Sequence, residues 1–299
     1  MKNKYIKLLI VIIAVFSIDY AADYVLKHGL DMGMGLNEHS KMFIVGHSQL
    51  MMGLDRDILE AELGCHVSKH TRTGVGVAER RMMTEMFLNS EYSDSLQVVV
   101  VGVDPFSFNN VGLSQNCYML FYPWMDEGVA ADYIKAETDA PTYYAHKLFR
   151  LSRYGDDLVK QSLRGWKHDD RNYKTAVMTE DIYNGGKGKW ERPILFNPIL
   201  VKELKLLIKE VTDRNIKVVL AMPPSYYMLT EKQKDEYDKI VELYTRWADS
   251  SELVYFFNYD KNLRKEGYIF FDPLHLNVEG QQILTQRFVK DVIVNGIVK

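Results

Sequence analysis

The stretch LQVVVVGVDPF, Leu96 to Phe106, decides the fold. Its apolar run is unbroken and β-branched, the pattern of a strand buried on both faces, and such strands belong to parallel sheets covered by helices on each side. Similar runs recur outward from it: MFIVG (42–46) before it, IKVVLAMPPS (216–225) and ELVYFFNY (252–259) after it, with HVSKHT (66–71) as a further strand. Between them lie helical patterns: RDILEAEL (56–63), stopped by Gly64, then GVAERRMMTEMFLNS (76–90), PILVKELKLLIKEVTDRN (198–215), KQKDEYDKIVELYTRWADS (232–250) and the closing NVEGQQILTQRFVKDVIV (277–294). Strands alternating with helices of this length predict parallel β-α-β units with right-handed crossovers, hence an α/β three-layer sandwich. Ligands in such sheets bind at the carboxyl ends of the strands.

The region from about Cys117 to Pro198 breaks the alternation. It is rich in Tyr, Trp and Asp and contains NGGKGK (184–189). It is read as a helical and looped insertion within one domain spanning 31–299. Its aromatic residues Tyr118, Phe121, Tyr122, Trp124, Tyr143 and Tyr144 could stack on sugar faces, but the preferred reading is that they cover the insertion's own small core.

The N-terminus, residues 1–30, reads as a signal anchor. Lys2, Lys4 and Lys7 precede an apolar run from Leu8 to Ile18, and helical sequence continues past Asp19 and Asp23. A carboxylate at a bilayer centre costs about 2.5–3.5 kcal/mol but much less near an interface. There is no good small-residue cleavage site, so an uncleaved single-pass helix is expected, with the lysines cytoplasmic and the remaining chain extracytoplasmic. The alternative is a buried N-terminal helix of a cytosolic protein.

Bulk composition excludes several classes. The 299 residues carry a net charge of -3, which provides no basic field for nucleic acid. Two cysteines, Cys65 and Cys117, make neither a disulfide scaffold nor a Cys-rich zinc site. His66 and His70 are four apart, but the segment reads as strand, where that spacing separates them, so no metal site is assigned. No glycine-rich phosphate loop follows the first strand, which argues against a nucleotide-binding protein.

Two stretches carry candidate chemistry. FIVGHSQL (43–50) places Ser48 just past the end of the first strand, and FFDPLHLNVEG (270–280) holds Asp272 and His275 in one loop before the last helix. Serine needs a base to accept its proton. A carboxylate three residues before a histidine can accept the imidazole Nδ1–H and fix its tautomer, leaving Nε2 for the serine. Asn277 is a natural cap for the last helix, and Gly280 permits close packing.

The order of these motifs resembles that of the SGNH (GDSL-like) hydrolase superfamily, with Gly46, His47 and Ser48 at the first motif and Asp272, Pro273, Leu274 and His275 at the last. The resemblance spans nearly the whole chain. It implies a flavodoxin-like sheet, Ser48 as nucleophile, His275 as general base and Asp272 as its orienter, with no metal or organic cofactor. It further implies a serine esterase or O-acyltransferase acting on an ester of an envelope glycan or small carbohydrate.

The chain departs from the family pattern at two positions. His47 stands where the family has Asp, and is read as a polar strand-end residue rather than a substrate or metal contact. The family's oxyanion hole combines the serine amide, a glycine and an asparagine. Here Ser48, Gly74 (with Gly76 as second choice) and Asp104 occupy those places. A carboxylate donates no hydrogen bond unless protonated, so Asp104 either caps the turn before Pro105 or leaves the hole to another donor such as Asn109. The rival reading is a catalytically weak or inactive member that binds or assembles surface polysaccharide.

Overall fold

The structure, a computed structural model, describes residues 2–109 and 116–298. The strands are β1 (Met42–Gly46), β2 (Val67–Thr71), β3 (Val98–Gly102), β4 (Lys217–Met222) and β5 (Val254–Asn258). The helices are α1 (Lys2–Met34), α2 (Ser48–Gly53), α3 (Arg56–Leu63), α4 (Val77–Leu88), α5 (Gly128–Glu137), α6 (Ala140–Leu148), α7 (Asp156–Gly165), α8 (Glu180–Gly185), α9 (Lys187–Trp190), α10 (Pro198–Thr212), α11 (Lys234–Asp249), α12 (Asp260–Leu263) and α13 (Val278–Val294). The chain forms two compact units, one of Met1–Asn37 with Gln115–Asp169 and one of Glu38–Ser114 with Asp170–Lys299.

The larger unit holds all five strands, parallel and in the order β2-β1-β3-β4-β5. This is the flavodoxin-like order, so the fold is the α/β sandwich that the alternation predicts. The first crossover runs one way along the sheet and the later ones run the other. Right-handed connections therefore put α2 and α3 on one face and α4, α10 and α11 on the opposite face. The packing agrees: α4 lies against α10, and α13 returns to cover α2 and α3. β1 and β3 are buried throughout, as their continuous β-branched sequences require, whereas the edge strand β5 is mostly half-buried.

α2 is a departure from the sequence reading, which leaves Ser48 in a strand-exit turn. Ser48 is instead the first residue of a short helix, and His47 is its cap. Leu50 on this helix sits over Gly46 and Gly102, close enough that a Cβ on either glycine would lie 3.0 Å from its side chain. The chain thus turns into α2 directly on the ends of two neighbouring strands.

The smaller unit is built on α1, against which α7 crosses at very short range. A Cβ at Gly165 would lie 1.7 Å from the Gly29 carbonyl oxygen, so only glycine fits the crossing. Trp124 donates its indole N–H to Asp31 at 3.1 Å, and Lys27 pairs with both Asp31 and Glu127 at 2.9 Å. Phe121, Tyr122 and Trp124 are buried, as the preferred reading of the aromatic cluster has it, while Tyr144 is exposed. α1 is long and apolar enough to cross a membrane, and only 11% of its most apolar window is buried, so it is not shaped as a core helix.

α13 carries a tight glycine. A Cβ at Gly280 would lie 2.3 Å from the Ile269 carbonyl oxygen and 2.9 Å from the Leu276 side chain. Alanine normally gains about 1 kcal/mol over glycine inside a helix. Gly280→Ala is expected to lose about 2 kcal/mol instead, through the backbone clash, as a lowered midpoint in denaturant unfolding of the full chain.

Candidate active site

Both candidate stretches come together at the carboxyl ends of the strands, at the point between β1 and β3 where the strand order reverses. Ser48 Oγ lies 2.8 Å from His275 Nε2. His275 Nδ1 faces the Asp272 carboxylate at 2.8 Å and 3.0 Å. The loop that presents them is built by Asp272 itself, whose Oδ1 accepts from the amides of Leu274 at 2.8 Å and His275 at 3.0 Å. A bridge between Phe270 and Leu276 closes its base, and the Tyr226 amide donates to the Pro273 carbonyl at 2.8 Å. Asn277 caps α13 by accepting from the Gly280 amide at 3.0 Å. Burial would raise the Asp272 carboxyl, but the bonds from the His275 ring and from the two amides outweigh it and hold it below the usual carboxylate range.

The candidate oxyanion donors divide. The Ser48 amide opens α2, where first-turn amides have no partner inside the helix. Gly74 lies in the loop after β2 with φ 79, a left-handed conformation suited to glycine, and its amide makes no hydrogen bond among the described residues. Gly76, the second choice, has its amide occupied by Glu79 Oε2 at 2.7 Å. Asn109 is buried and occupied as well: its amide donates to the Pro193 carbonyl, and its Oδ1 accepts from the Leu195 amide at 2.8 Å.

Asp104 has a different place from that of an oxyanion donor. Its Oδ2 accepts a hydrogen bond from His47 Nε2, and its Oδ1 accepts from the Phe106 amide at 2.5 Å. Ser107 Oγ adds a bond at 3.2 Å. The turn-cap reading thus accounts for one oxygen, and His47 accounts for the other. Burial would raise this carboxyl, but His47, the nearby Arg80 guanidinium and the Phe106 amide pull it down, so it is ionised and accepts only.

His47 is legible in detail. Its Nδ1 accepts from the Gln49 amide at 3.1 Å, so the ring proton sits on Nε2 and points at Asp104. The ring is neutral: burial pushes its pKa down and outweighs the pull of Asp104, with Arg80 and His275 acting in the same direction as burial. Arg80 supplies the countercharge. It is buried and donates to the carbonyls of Gly76, at 3.0 Å, and Gly102. Arg80 was not singled out in the sequence, because a helical arginine reads as solvent-facing. The available signal was paired: a histidine at 47 and a carboxylate at 104, each just past the end of a buried strand, are complementary as donor and acceptor.

His66 and His70 do not share a site. His66 pairs with Glu60 at 2.8 Å, a partner the sequence reading did not identify, and His70 is buried in β2. Cys65 and Cys117 are free thiols.

No protein-family model matches the chain, and no curated protein matches it in sequence at a significant level. Several solved structures resemble it. One, from Streptococcus pneumoniae and provisionally described as a platelet activating factor, is 10% identical with a TM-score of 0.42, covering 97% of this chain and 99% of its own. The C-terminal catalytic domain of peptidoglycan O-acetyltransferase A from Streptococcus pneumoniae is 10% identical with a TM-score of 0.42, covering 87% of this chain and 96% of its own. A provisionally described acylhydrolase from Bacteroides fragilis is 11% identical with a TM-score of 0.41, covering 89% and 94%. At these identities and scores the likeness transfers neither an activity nor the role of any residue.

The buried histidines make stability pH-dependent. His47 and His70 are held below the ordinary value of 6.5, His70 by burial and then by Arg72. Below that value the unfolded chain takes up protons that the folded chain refuses, so stability falls as pH drops from about 6.5. Each histidine contributes up to about 1.4 kcal/mol per pH unit. His47→Gln keeps an N–H donor for Asp104 and removes one titrating group. It is expected to reduce the slope of unfolding free energy below pH 6.5, by at most one proton, in urea titrations, and an unchanged slope would count against the assignment.

Proposed function

We propose that the chain is an SGNH-type serine esterase or O-acyltransferase that forms an acyl-enzyme on Ser48. The observation that carries this reading is the continuous line of hydrogen bonds from Ser48 through His275 to Asp272. His275 Nε2 takes the Ser48 proton as Oγ attacks an ester carbonyl. Nδ1–H, held by Asp272, keeps the ring in the required tautomer and stabilises the imidazolium. The amides of Ser48 and Gly74 receive the oxyanion. His275 returns the proton to the leaving alcohol, and water or a sugar hydroxyl then resolves the acyl-enzyme. The substrate class is an acylated carbohydrate or other ester of the cell envelope, reached by an extracytoplasmic domain anchored through α1, whose basic flank at Lys4 and Lys7 stays in the cytoplasm.

A second reading has one observation in its favour. Asp104 supplies no donor where the family has an asparagine, and losing one oxyanion donor typically costs about 10²–10³ in rate. That supports a slow enzyme, or at the limit a polysaccharide-binding protein that has kept the site.

A fluorophosphonate probe tests the reading directly. The folded wild type is expected to label, and Ser48→Ala is expected to lose the label completely. Asp272→Asn should label or hydrolyse a simple aryl ester about 10²–10⁴ times more slowly, because the ring loses its tautomer control. Absence of labelling in a wild type with a normal unfolding transition would sink the nucleophile assignment and leave the binding reading.

A further inference from the structure

The carboxylates of Asp19 and Asp23 sit in the helix that the preceding section assigns to the membrane, and their partners point to a second membrane contact. At 1.5 Å per residue, a helix needs about 20 residues to cross about 30 Å of hydrocarbon. The run from Leu8 to Ile18 covers only about 16 Å at that rise. A span that begins after Lys7 must therefore include both carboxylates and reach the neighbourhood of Lys27.

Both are buried and fully engaged, at 6% and 5% exposure. Asp19 accepts from the backbone amides of Arg150 at 2.8 Å and Leu151 at 2.9 Å. Asp23 accepts from the Arg150 guanidinium at 3.0 Å and the Tyr154 hydroxyl at 2.8 Å. Arg150 also lies 3.6 Å from the centre of the Tyr20 ring. These partners come from one short segment, which supplies donors that water could not supply inside a bilayer.

The same segment turns apolar side chains outward. Phe149 stacks on Phe16 with ring centres 5.9 Å apart, about one helical turn nearer the cytoplasmic end than Asp19. Leu148 is 55% exposed, Phe149 47% and Leu151 41%. On α1, Val15 and Ile18, either side of Phe16, are exposed as well. The Phe16–Phe149 stack therefore joins the exposed apolar side chains of the span to those of Leu148, Phe149 and Leu151.

We propose that this turn, Leu148 to Leu151, is immersed in the outer leaflet beside α1, with lipid acyl chains as the occupant of its apolar face. This rests on the reading of α1 as a membrane span. A protein partner is disfavoured because Phe149 shares the level of Phe16, which that span places in hydrocarbon.

Site-directed spin labelling of the full chain in phosphatidylcholine/phosphatidylglycerol vesicles tests this, in a Cys65→Ser, Cys117→Ala background. Labels go at Leu148→Cys and Leu151→Cys, with Ile13→Cys as the marker for the span and Lys234→Cys as the marker for water. The expected result is that labels at 148 and 151 resemble that at 13: accessible to oxygen, and at least tenfold less accessible to a water-soluble nickel chelate than the label at 234. If 13 is in lipid while 148 and 151 behave like 234, the immersion is wrong and the anchor stands. If 13 itself is in water, the anchor fails and the immersion fails with it. Quenching of Phe149→Trp fluorescence by lipids spin-labelled on the acyl chain gives an independent reading should a cysteine variant misfold; no quenching above the parent protein would overturn the proposal.

Discussion

The hydrogen bond from His47 to Asp104 ties together the ends of two neighbouring strands, and the candidate site is organised around it. β1 and β3 run in register, Val45 opposite Val101, so their exits emerge side by side. Ser48 leaves the first exit and Asp104 the second. Asp104 on one nitrogen and the Gln49 amide on the other fix His47, the cap of α2, directly before Ser48. An ionised buried carboxylate is costly alone. Arg80, reaching in from α4, balances it while closing the carbonyls of Gly76 and Gly102, and Tyr244 adds a hydroxyl to the Asp104 carbonyl at 3.2 Å. The sheet end is therefore held by a neutral cluster drawn from two strand exits and two helices.

The pair Asp272 and His275 is held differently, by short-range geometry. They lie three positions apart, and the carboxylate that orients the ring also accepts the amides that shape the loop. Removing that carboxylate would disturb both the ring and the loop. The contrast with His47 and Asp104, which lie 57 positions apart, explains why one pair could be read from a motif and the other could not.

The strands were legible because a parallel sheet buried on both faces leaves a continuous β-branched run, with little competing signal from helix. MFIVG coincides with β1, and VVVVG within the longer quoted stretch with β3. α2 was not legible: six residues carry too little periodicity to stand out. Arg80 was hidden because its partners are carbonyl oxygens, which leave no mark in sequence. Asp19 and Asp23 read as interruptions of an apolar helix, since the groups that satisfy them lie some 130 positions away. What escapes sequence reading is mostly polar satisfaction at long range. Local features, such as the Asn277 cap and the Asp272–His275 spacing, were visible in advance.

The neutral state of His47 bears on the proposed reaction. His47 directly precedes Ser48, whose Oγ lies 2.8 Å from His275 Nε2, and positive charge on His275 acts with burial against protonation of His47. Accepting the Ser48 proton makes His275 cationic, and a protonated His47 beside it would disfavour that step. Burial and the Gln49 amide keep His47 unprotonated, and Arg80 already supplies the positive charge that Asp104 requires. His47 therefore donates to Asp104 across the two strand exits without adding a positive charge to the site. The same bond ties the two strand exits together, and in the proposed reaction it leaves the oxyanion to the amides of Ser48 and Gly74.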